Sequence, residues 1–480
     1  MKKLDQLTFT RFVAAFSVVL FHGGAGLPLF NFFPLVPLLT SGQTAVSYFY
    51  VLSGFVMALA YYRPGKKFDF RTYWIARFSR IYPVYLLSFV VTCLYYLDIM
   101  AKVKADKIWA NLLLYQAWIP RYALSFNLAA WSLSVEAFFY ILFPFLALAV
   151  MRIPVKRLIW ISLGFWIVSQ VVHSILYIQL MPDGRILLGY FPLFHLNSFV
   201  LGVAGGAWYL TEASRHPVNQ STNRWLMILS LALASAALIG REFLPAFFGT
   251  FTLDVGLLAP FFLLFVLTLA LDSTRISQAL SHPWLVTLGD ASYALYILHV
   301  PVRWLYERVL ALTGSTMSFE VMYYTYVPAV ILLSVLVFLR LERPVRDWLR
   351  VNIRKLPLIL LDVLLIAVAT WASFSLRLGS DKTDFVNTFA YALRVGLAVY
   401  FGSLILFRVY TSTGKNVSWM SLPLAILIGA GALTSLVYLA WTEGWVEAFP
   451  RTILLLDMFL TFVFLFASRF LLRRWKPELA

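Results

Sequence analysis

The chain has little charge and a single cysteine. Only 13% of its 480 residues are charged and 61% are hydrophobic, whereas soluble domains carry about 25% charged residues. This composition argues against a soluble globular protein. The single cysteine, Cys93, lies in an apolar run, so no internal disulfide can form and we expect no thiolate chemistry.

Short motifs that hold nucleotides or metal ions are also missing. The chain has no Walker A run, no G-x-G-x-x-G and no G-x-S-x-G. It has no H-E-x-x-H or cysteine cluster, and no histidine pair with metal-ligand spacing on one helix, so we expect no metal site. The net charge of +17 is spread between hydrophobic runs, so nucleic acid is not an expected partner.

Apolar runs of about 18 to 22 residues recur along the whole chain. Because none alternates strictly between polar and apolar residues, they predict an all-α, polytopic integral membrane protein rather than a barrel. We expect ten helices in residues 1–345, a basic cytoplasmic linker at 346–355 and four further transmembrane helices in 356–480. The predicted spans are 7–25, 44–62, 80–98, 132–151, 156–178, 191–211, 225–241, 252–271, 288–310, 324–341, 356–376, 389–408, 420–441 and 452–471.

Basic residues mark one side of these spans. They cluster at 63–77, 152–157, 215–224, 340–355 and 473–476, with a mild exception in the loop 99–131. The positive-inside rule then predicts a multi-pass protein of the inner (plasma) membrane with both termini in the cytoplasm. The first span lacks a cleavage site, so we expect it to be retained. The stretch 108–119 is too short to cross and is expected to be re-entrant or interfacial.

Arg11 and His22 are the most unusual residues of the first span. Placing a charge and an imidazole inside a membrane helix is costly. Eleven residues make about three turns, so both lie on one face, about 16 Å apart along the axis. Two interpretations stay open: a snorkelling arginine with a structural histidine, or an anion-binding group paired with a proton acceptor.

Further arginines lie at the predicted cytoplasmic mouth of the third span. Arg77 and Arg80 are three residues apart in RFSRIYP and are neighbours on a helix. With Arg11 they could bind phosphates that enter from the cytosol. Arg71 is more easily explained as ordinary positive-inside charge.

A carboxylate, Glu136, lies about one turn into the fourth span, in WSLSVEAFF. Because this is the predicted outer end, we expect it at the depth of His22, where a carboxylate could orient the imidazole. The alternative is a structural glutamate that accepts hydrogen bonds from Trp131 or Ser132.

The ninth span adds Tyr296 and His299, which share a helix face. Ser53, Ser132 and Tyr296 are conceivable proton or oxyanion helpers. His195 begins the sixth span near the predicted outer side.

These residues together resemble the membrane-bound acyltransferase family 3. Arg11 through His22 matches its R-x10-H motif, and YFYVLSGFVMA at 48–58 resembles its F-F-V-L-S-G-F signature. RFSRIYP, WSLSVE and LGDASYALYILHVPV follow in the family's order, and the likeness covers about residues 5–345.

The resemblance implies a ten-helix O-acyltransferase. Such enzymes take an acyl group, usually acetyl, from cytoplasmic acetyl-CoA and place it on a carbohydrate hydroxyl of envelope polysaccharide or lipopolysaccharide. It implies that Arg11 and His22 are the motif pair, Arg77 and Arg80 the basic pair, and Glu136 the WSLSVE carboxylate. Acyl-CoA would be a donor substrate, and no bound cofactor is implied.

The final 125 residues resemble something else. LPLILLDVLLIAVATWASFSLRLG and FRVYTS are similar to the four-helix membrane anchor of nucleotide-sugar epimerase/dehydratases, through Asp362, Arg377 and span spacing. No Rossmann domain follows before Ala480, so we expect no dehydratase activity. Within this region we predict that Arg394 pairs with Asp457, since unpaired charges at that depth are costly.

The resulting hypothesis is a path for an acyl group. Arg11, Arg77 and Arg80 would hold the donor phosphates, and His22, oriented by Glu136, would deprotonate an acceptor hydroxyl or first take the acyl group itself. A transporter or flippase for an acyl donor or lipid-linked glycan, and a scaffold for glycan-synthesis proteins, remain as rivals.

Overall fold

The structure of the chain is a computed structural model. It describes residues 4–24, 27–33, 35–63, 65, 67–96, 103–180, 183–213, 216, 218–243, 253–353, 356–379, 385–407, 409, 421–446 and 451–475. Two compact units divide the chain, residues 1–347 and 348–480. Each is described by itself.

The regular secondary structure among the described residues of the first unit is helical, and the last helix that begins in it, Arg343–Asn352, continues past residue 347. Its α-helices are α1 Gln6–Phe21, α2 Leu35–Thr40, α3 Thr44–Tyr61, α4 Phe70–Tyr95, α5 Ala105–Leu112, α6 Trp131–Val150, α7 Val155–Leu180, α8 Arg185–Tyr190, α9 Pro192–Thr211, α10 Gln220–Gly240, α11 Ala259–Leu271, α12 Arg275–Leu280, α13 Pro283–Leu312, α14 Phe319–Val337 and α15 Arg343–Asn352. A π-helical turn, Phe338–Glu342, joins the last two. The second unit has α16 Leu356–Leu378, α17 Val386–Leu406, α18 Ser421–Thr442 and α19 Thr452–Trp475.

A helix stands at the position of every predicted span, and the protein is an all-α polytopic membrane protein. Among the described residues, 11 helices are long and apolar enough to cross a membrane. Three shorter apolar helices fill the remaining positions, Gln6–Phe21, Ala259–Leu271 and Thr388–Leu404. The apolar runs therefore determine where the helices form.

Helix boundaries differ most at α4, which begins ten residues before the predicted span. Asp69 explains the early start, because its carboxylate caps the helix by accepting from the amide of Thr72 at 3.1 Å and its hydroxyl at 2.6 Å. These hydrogen bonds from Thr72 lower the pKa of Asp69. The helix thus carries Arg77 and Arg80 within its own first turns rather than in a loop before it.

Helices α1 and α13 run parallel and in close contact. A Cβ at Gly289 would overlap the backbone carbonyl of Thr8, so glycine is needed where the two helices begin. Toward their other ends His299 faces His22. This pairing brings the first and the ninth predicted spans together, although more than 250 residues separate them.

Helices α3 and α9 pack with their backbones touching. A Cβ at Gly202 would overlap the carbonyl of Val51, and one at Gly54 would overlap the carbonyl of Phe199. Small residues allow such close approach in membrane helices. The glycines of α9 therefore serve helix packing.

Residues 103–130, which precede α6, fold into the unit instead of crossing it. Asn127 donates its side-chain amide to the carbonyl of Ile297 at 2.7 Å and to Ser88 Oγ at 2.8 Å. Gln116 is fully buried and donates to the carbonyl of Ala130 at 3.0 Å. Helix α6 consequently begins beside the middle of α13. Residues 116–130 occupy the space between the start of α6 and the histidine-bearing half of α13.

The second unit has its own apolar core and a buried ion pair. Arg469 in α19 donates two hydrogen bonds, of 2.7 and 2.6 Å, to the two oxygens of Asp362 in α16. The Asp362 side chain is 0% exposed and that of Arg469 13% exposed. An arginine that donates two parallel hydrogen bonds to one carboxylate best offsets the free-energy cost of burying that carboxylate.

The predicted pair between Arg394 and Asp457 is wrong. Asp457 is 1% exposed and accepts a hydrogen bond of 2.9 Å from Tyr400. Arg394 is exposed and donates to the carbonyl of Ala390 in its own helix at 2.9 Å. It lies two residues, or about 200° of helical rotation, from the buried Ala392, so it points to the opposite face.

Candidate active site

A cavity of about 450 Å³ lies inside the first unit and brings seven of the predicted site residues together. These residues come from α1, α3, α4, α6 and α13, and they are Arg11, Ser53, Arg77, Arg80, Ser132, Glu136 and Tyr296. Most of the remaining wall is apolar, with side chains such as Leu7, Phe49, Val56 and Leu133. Its size and lining are typical of a small-molecule site. The three other predicted residues, His22, Trp131 and His299, are not part of its wall.

The basic residues gather at one end of the cavity, called here the arginine end (Arg11, Arg77 and Arg80). The Arg77 guanidinium lies 5.7 Å from the ring centroid of Tyr61 and 5.6 Å from that of Tyr140. Such cation–π contacts hold the guanidinium in place. Arg71, on the same helix, is exposed and outside the cavity, in keeping with ordinary surface charge.

Acidic side chains surround the arginine end, and two of them were missed by the sequence analysis. Asp290 lines the cavity with Glu136. Glu342, in the π-helical turn, is 3% exposed and lies 3.7 Å from Arg346. Arg11 interacts electrostatically with all three carboxylates. Carboxylates at the ends of apolar spans are the sequence signal that could have identified them.

Hydrogen bonds close the opposite end of the cavity. Tyr296 donates to Ser132 Oγ at 2.8 Å, and Ser132 donates to the carbonyl of Ala129 at 2.9 Å. Tyr50 donates to the carbonyl of Ser132 at 3.3 Å. The Phe49 ring packs against Tyr296 at a centroid distance of 5.7 Å. This closed layer lies about one helical turn from His299.

Beyond that layer is the histidine end (His22 and His299). His22 Nδ1 is 3.1 Å from His299 Nε2, and the two rings are 4.9 Å apart at their centroids. His299 is 2% exposed, whereas His22 is only partly buried. The pair therefore combines a buried imidazole with one that solvent or a substrate can reach.

Hydrogen-bond partners assign the tautomers of the neutral rings. His299 Nδ1 lies 2.6 Å from the carbonyl of Tyr296, which only accepts, so this nitrogen carries the hydrogen. His22 Nδ1 lies 2.9 Å from the carbonyl of Val18 and must also be a donor, shared with His299 Nε2. The unprotonated nitrogen of His22 is then Nε2. A proton acceptor at Nε2 backed by a partner at Nδ1 is the arrangement of a general base.

Glu136 is not the partner that the sequence analysis expected for His22. Its carboxylate accepts a hydrogen bond of 2.5 Å from Tyr140, one turn along α6. The hydrogen bond between Tyr296 and Ser132 places these two residues at the same depth. Along the helix axes, Glu136 lies about 6 Å from that depth toward the arginine end, whereas His299 lies about 4.5 Å from it toward the histidine end. The prediction assumed that α6 starts at the membrane face, but the buried segment before it makes the helix start deeper.

Trp131 and His195 pack against each other outside the cavity. Their rings are 5.2 Å apart, and Trp131 also meets Tyr190 at 4.9 Å. His195 Nε2 hydrogen-bonds the carbonyl of Gly189 at 3.1 Å. Both side chains thus support the wall behind Ser132. Within the described ranges, no group of three or more His, Cys, Asp or Glu side chains could hold a metal ion.

Comparison with known sequences identifies the family. The acyltransferase 3 family, described as an acyltransferase domain, matches residues 4–342. The chain belongs to this family. The match covers the cavity and the histidine end and stops before the second unit.

Named relatives agree with this assignment. Acyltransferase MdmB of Streptomyces mycarofaciens is 29% identical over 324 residues, which are 62% of this chain and 79% of the relative. Peptidoglycan O-acetyltransferase OatA of Listeria monocytogenes is 25% identical over 334 residues, 64% of this chain and 51% of OatA. The putative O-acetyltransferase SACOL0978 of Staphylococcus aureus (strain COL) is 27% identical over 287 residues, 55% of this chain and 46% of the relative.

The chain thus spans about half the length of OatA and of the staphylococcal protein. No solved structure matches it. Family membership and the named relatives together indicate membrane O-acyl transfer as the class of activity.

Proposed function

We propose that this protein moves an acetyl or other small acyl group from cytoplasmic acyl-CoA to a hydroxyl of a cell-envelope carbohydrate. The observation that carries the proposal is the arrangement along α1. Arg11 borders a cavity suited to an anionic, elongated donor. About 16 Å further along the same axis, at the end of α1, His22 presents its unprotonated Nε2 as a proton acceptor. By the positive-inside rule we expect the arginine end to face the cytoplasm, with both termini on the cytoplasmic side of the plasma membrane.

The donor would bind with its phosphates at the arginine end. Guanidinium groups bind phosphate oxygens through paired, charge-assisted hydrogen bonds. The apolar middle of the cavity then suits the pantetheine arm, which is largely uncharged. The carboxylates of Glu136 and Asp290 line the same cavity and partly offset the charge of Arg11 when the donor is absent.

The transfer itself needs a base and a path to it. The acceptor oxygen attacks the thioester carbonyl while its hydroxyl proton passes to His22 Nε2. The carbon–sulfur bond then breaks, and the CoA thiolate leaves and takes that proton from the imidazolium, which restores the neutral base. His299 Nε2 accepts the hydrogen bond from Nδ1 of the resulting imidazolium. Because the Tyr296–Ser132 layer separates cavity and histidine end, the Tyr296 side chain must turn aside when the thioester reaches His22. A prior acyl–histidine intermediate is compatible with the same geometry.

One variant tests this function in a strain whose own gene is deleted. His22→Ala should abolish acetylation of the envelope glycans, measured by mass spectrometry of purified glycans. Glycan acetylation at the normal level with a folded His22→Ala protein would contradict the proposal, and movement of a lipid-linked glycan with no bond formation would favour a transporter instead.

The donor site has its own test, with a matched control on the same helix. Arg77→Met should raise the KM for acetyl-CoA about tenfold or more, since a hydrogen bond to a charged group is worth about 1.5–3 kcal/mol. Arg71→Met removes an exposed arginine outside the cavity and should leave the KM unchanged. Equal effects of the two substitutions would point to general surface charge rather than to a phosphate site.

For residues 348–480 we propose a role beside catalysis. The family match ends before this unit. The resemblance of residues 356–480 to the membrane anchor of nucleotide-sugar enzymes suggests that the unit docks to glycan-synthesis proteins. A variant altered in this unit should still acetylate the glycans. If glycan-synthesis enzymes co-purify with the parent protein but not with this variant, docking would be supported. Loss of acetylation itself would contradict a separate role.

A further inference from the structure

The end of α1 is held at its backbone as well as at its side chain. His22 follows the last residue of the helix, Phe21, where the regular backbone hydrogen bonds of α1 run out. The amide of His22 still reaches the carbonyl of Val18, and the amide of Gly24 reaches that of Leu20. Two side chains from other helices supply further donors to this turn. Tyr323 donates its hydroxyl to the carbonyl of Val19 at 2.6 Å, and Arg303 donates to the carbonyl of His22 itself.

Arg303 is placed for this contact by its position on α13. It lies four residues after His299, so both side chains project from the same helix face. One face of α13 thus contacts His22 twice, at the ring through His299 and at the backbone through Arg303. With its carbonyl and Nδ1 both held, the imidazole has little freedom to turn, and the direction of Nε2 is set.

The surroundings of Arg303 support a dedicated role. Its side chain is 20% exposed, and Glu307, one turn further along, lies 3.3 Å from its guanidinium. This carboxylate screens the guanidinium charge from the imidazolium that would form on His22. Gly23 gives the arginine room, since a Cβ there would stand 2.6 Å from the Tyr323 ring and 3.0 Å from Arg303 Nη1.

We propose that Arg303 is a positioning residue, which fixes the last turn of α1 so that His22 Nε2 points at the acceptor hydroxyl. The inference rests on the proposed role of His22 as the base. Arg303 lies outside the cavity wall, so it acts through His22 and not on the donor.

The experiment compares full-length variants, purified in detergent, with acetyl-CoA as donor and the glycan fraction of the deletion strain as acceptor. Arg303→Met should lower the maximal rate about tenfold or more, with less than about a twofold change in the KM for acetyl-CoA. Arg303→Lys should restore much of the rate, because an ammonium group can also donate to the His22 carbonyl. The matched control is Arg308→Met, since Arg308 lies on the same helix but donates to the carbonyl of Tyr95, and the rate should stay near that of the parent.

A second substitution reaches the same turn without replacing the arginine itself. Gly23→Ala would place a Cβ 2.6 Å from the Tyr323 ring and 3.0 Å from Arg303 Nη1, so it should disturb both donors to the last turn and lower the rate. The double variant with Arg303→Met should lose less than the sum of the two single losses, since both changes act on the Arg303 contact. Thermal unfolding and size-exclusion profiles confirm that each variant is folded. If Arg303→Met does not fold, Arg303→Lys and Gly23→Ala carry the test by themselves.

Three results would overturn the inference: an unchanged rate in Arg303→Met, a rise in the KM for acetyl-CoA in place of a fall in rate, or fully additive losses in the double variant. The proposed function has a separate failure, namely normal activity of His22→Ala. An inactive His22→Ala beside a fully active Arg303→Met would therefore reject the positioning role alone.

Discussion

Replacing His299 by leucine removes the one ring nitrogen that faces His22. The substitution keeps a side chain of similar size at a site that is 2% exposed, and the backbone carbonyl of residue 299 can still accept from Tyr326 at 2.5 Å. What disappears is the acceptor 3.1 Å from His22 Nδ1. The imidazolium formed during transfer would then keep only the carbonyl of Val18 as a partner.

The size of the effect follows from that single contact. A hydrogen bond to a charged group contributes about 1.5–3 kcal/mol, and about 1.4 kcal/mol corresponds to a tenfold change in rate. We therefore expect His299→Leu to lower the maximal rate about 10- to 100-fold. The KM for acetyl-CoA should stay constant, because His299 does not line the donor cavity. His299→Gln places an amide oxygen near the position of Nε2 and should lose much less.

The assay follows labelled acetyl groups from acetyl-CoA into the glycan fraction of a deletion strain. Both variants are compared with the parent protein after their folded fractions have been matched by size exclusion. A His299→Leu rate within about twofold of the parent would refute the role of the pair. So would a glutamine variant as slow as the leucine variant, since the acceptor atom would then be irrelevant.

Two stability predictions use internal controls. Gly202→Ala should destabilise the first unit by about 1–3 kcal/mol, because the added Cβ would overlap the Val51 carbonyl, whereas Gly164→Ala, with open space around it, should be neutral or slightly stabilising. Thermal unfolding in detergent separates the two, and equal effects would contradict the close packing of α3 on α9. Arg469→Met should destabilise the second unit by about 3–5 kcal/mol by leaving Asp362 buried without its two-bonded partner. Arg394→Met, at an exposed site, should change stability by less than about 0.5 kcal/mol, and a larger loss there than at Arg469 would refute the assigned pairing.

The sequence predicted the helices well because membrane spans depend on local composition. An apolar run of sufficient length must form a helix in lipid, where each backbone group needs a partner within the segment. Even α11, with only 13 residues, stands where its apolar run predicts. Boundaries were less predictable, as α4 shows, because a single capping carboxylate moved its start by about three turns.

The composition of the site was also accessible from sequence, since costly polar residues in apolar spans are few. Arg11 and Glu136 were recognised by that cost. Arg77 and Arg80 were recognised by their spacing at the mouth of the third span, and all four residues line one cavity. Depth was harder to predict. It depends on where a helix begins within the fold, and the buried segment before α6 moved Glu136 away from His22.

Sequence by itself determined that this chain is a bundle of membrane helices, and that Arg11 and His22 share one face of the first. Both follow from short-range rules, the length of apolar runs and the pitch of a helix. Only the tertiary structure decided which side chains meet. His299 is adjacent to His22 because α1 and α13 pack in parallel at Gly289, a contact between segments that lie far apart in the chain. Such contacts depend on the packing of whole helices, and no local pattern of residues encodes them.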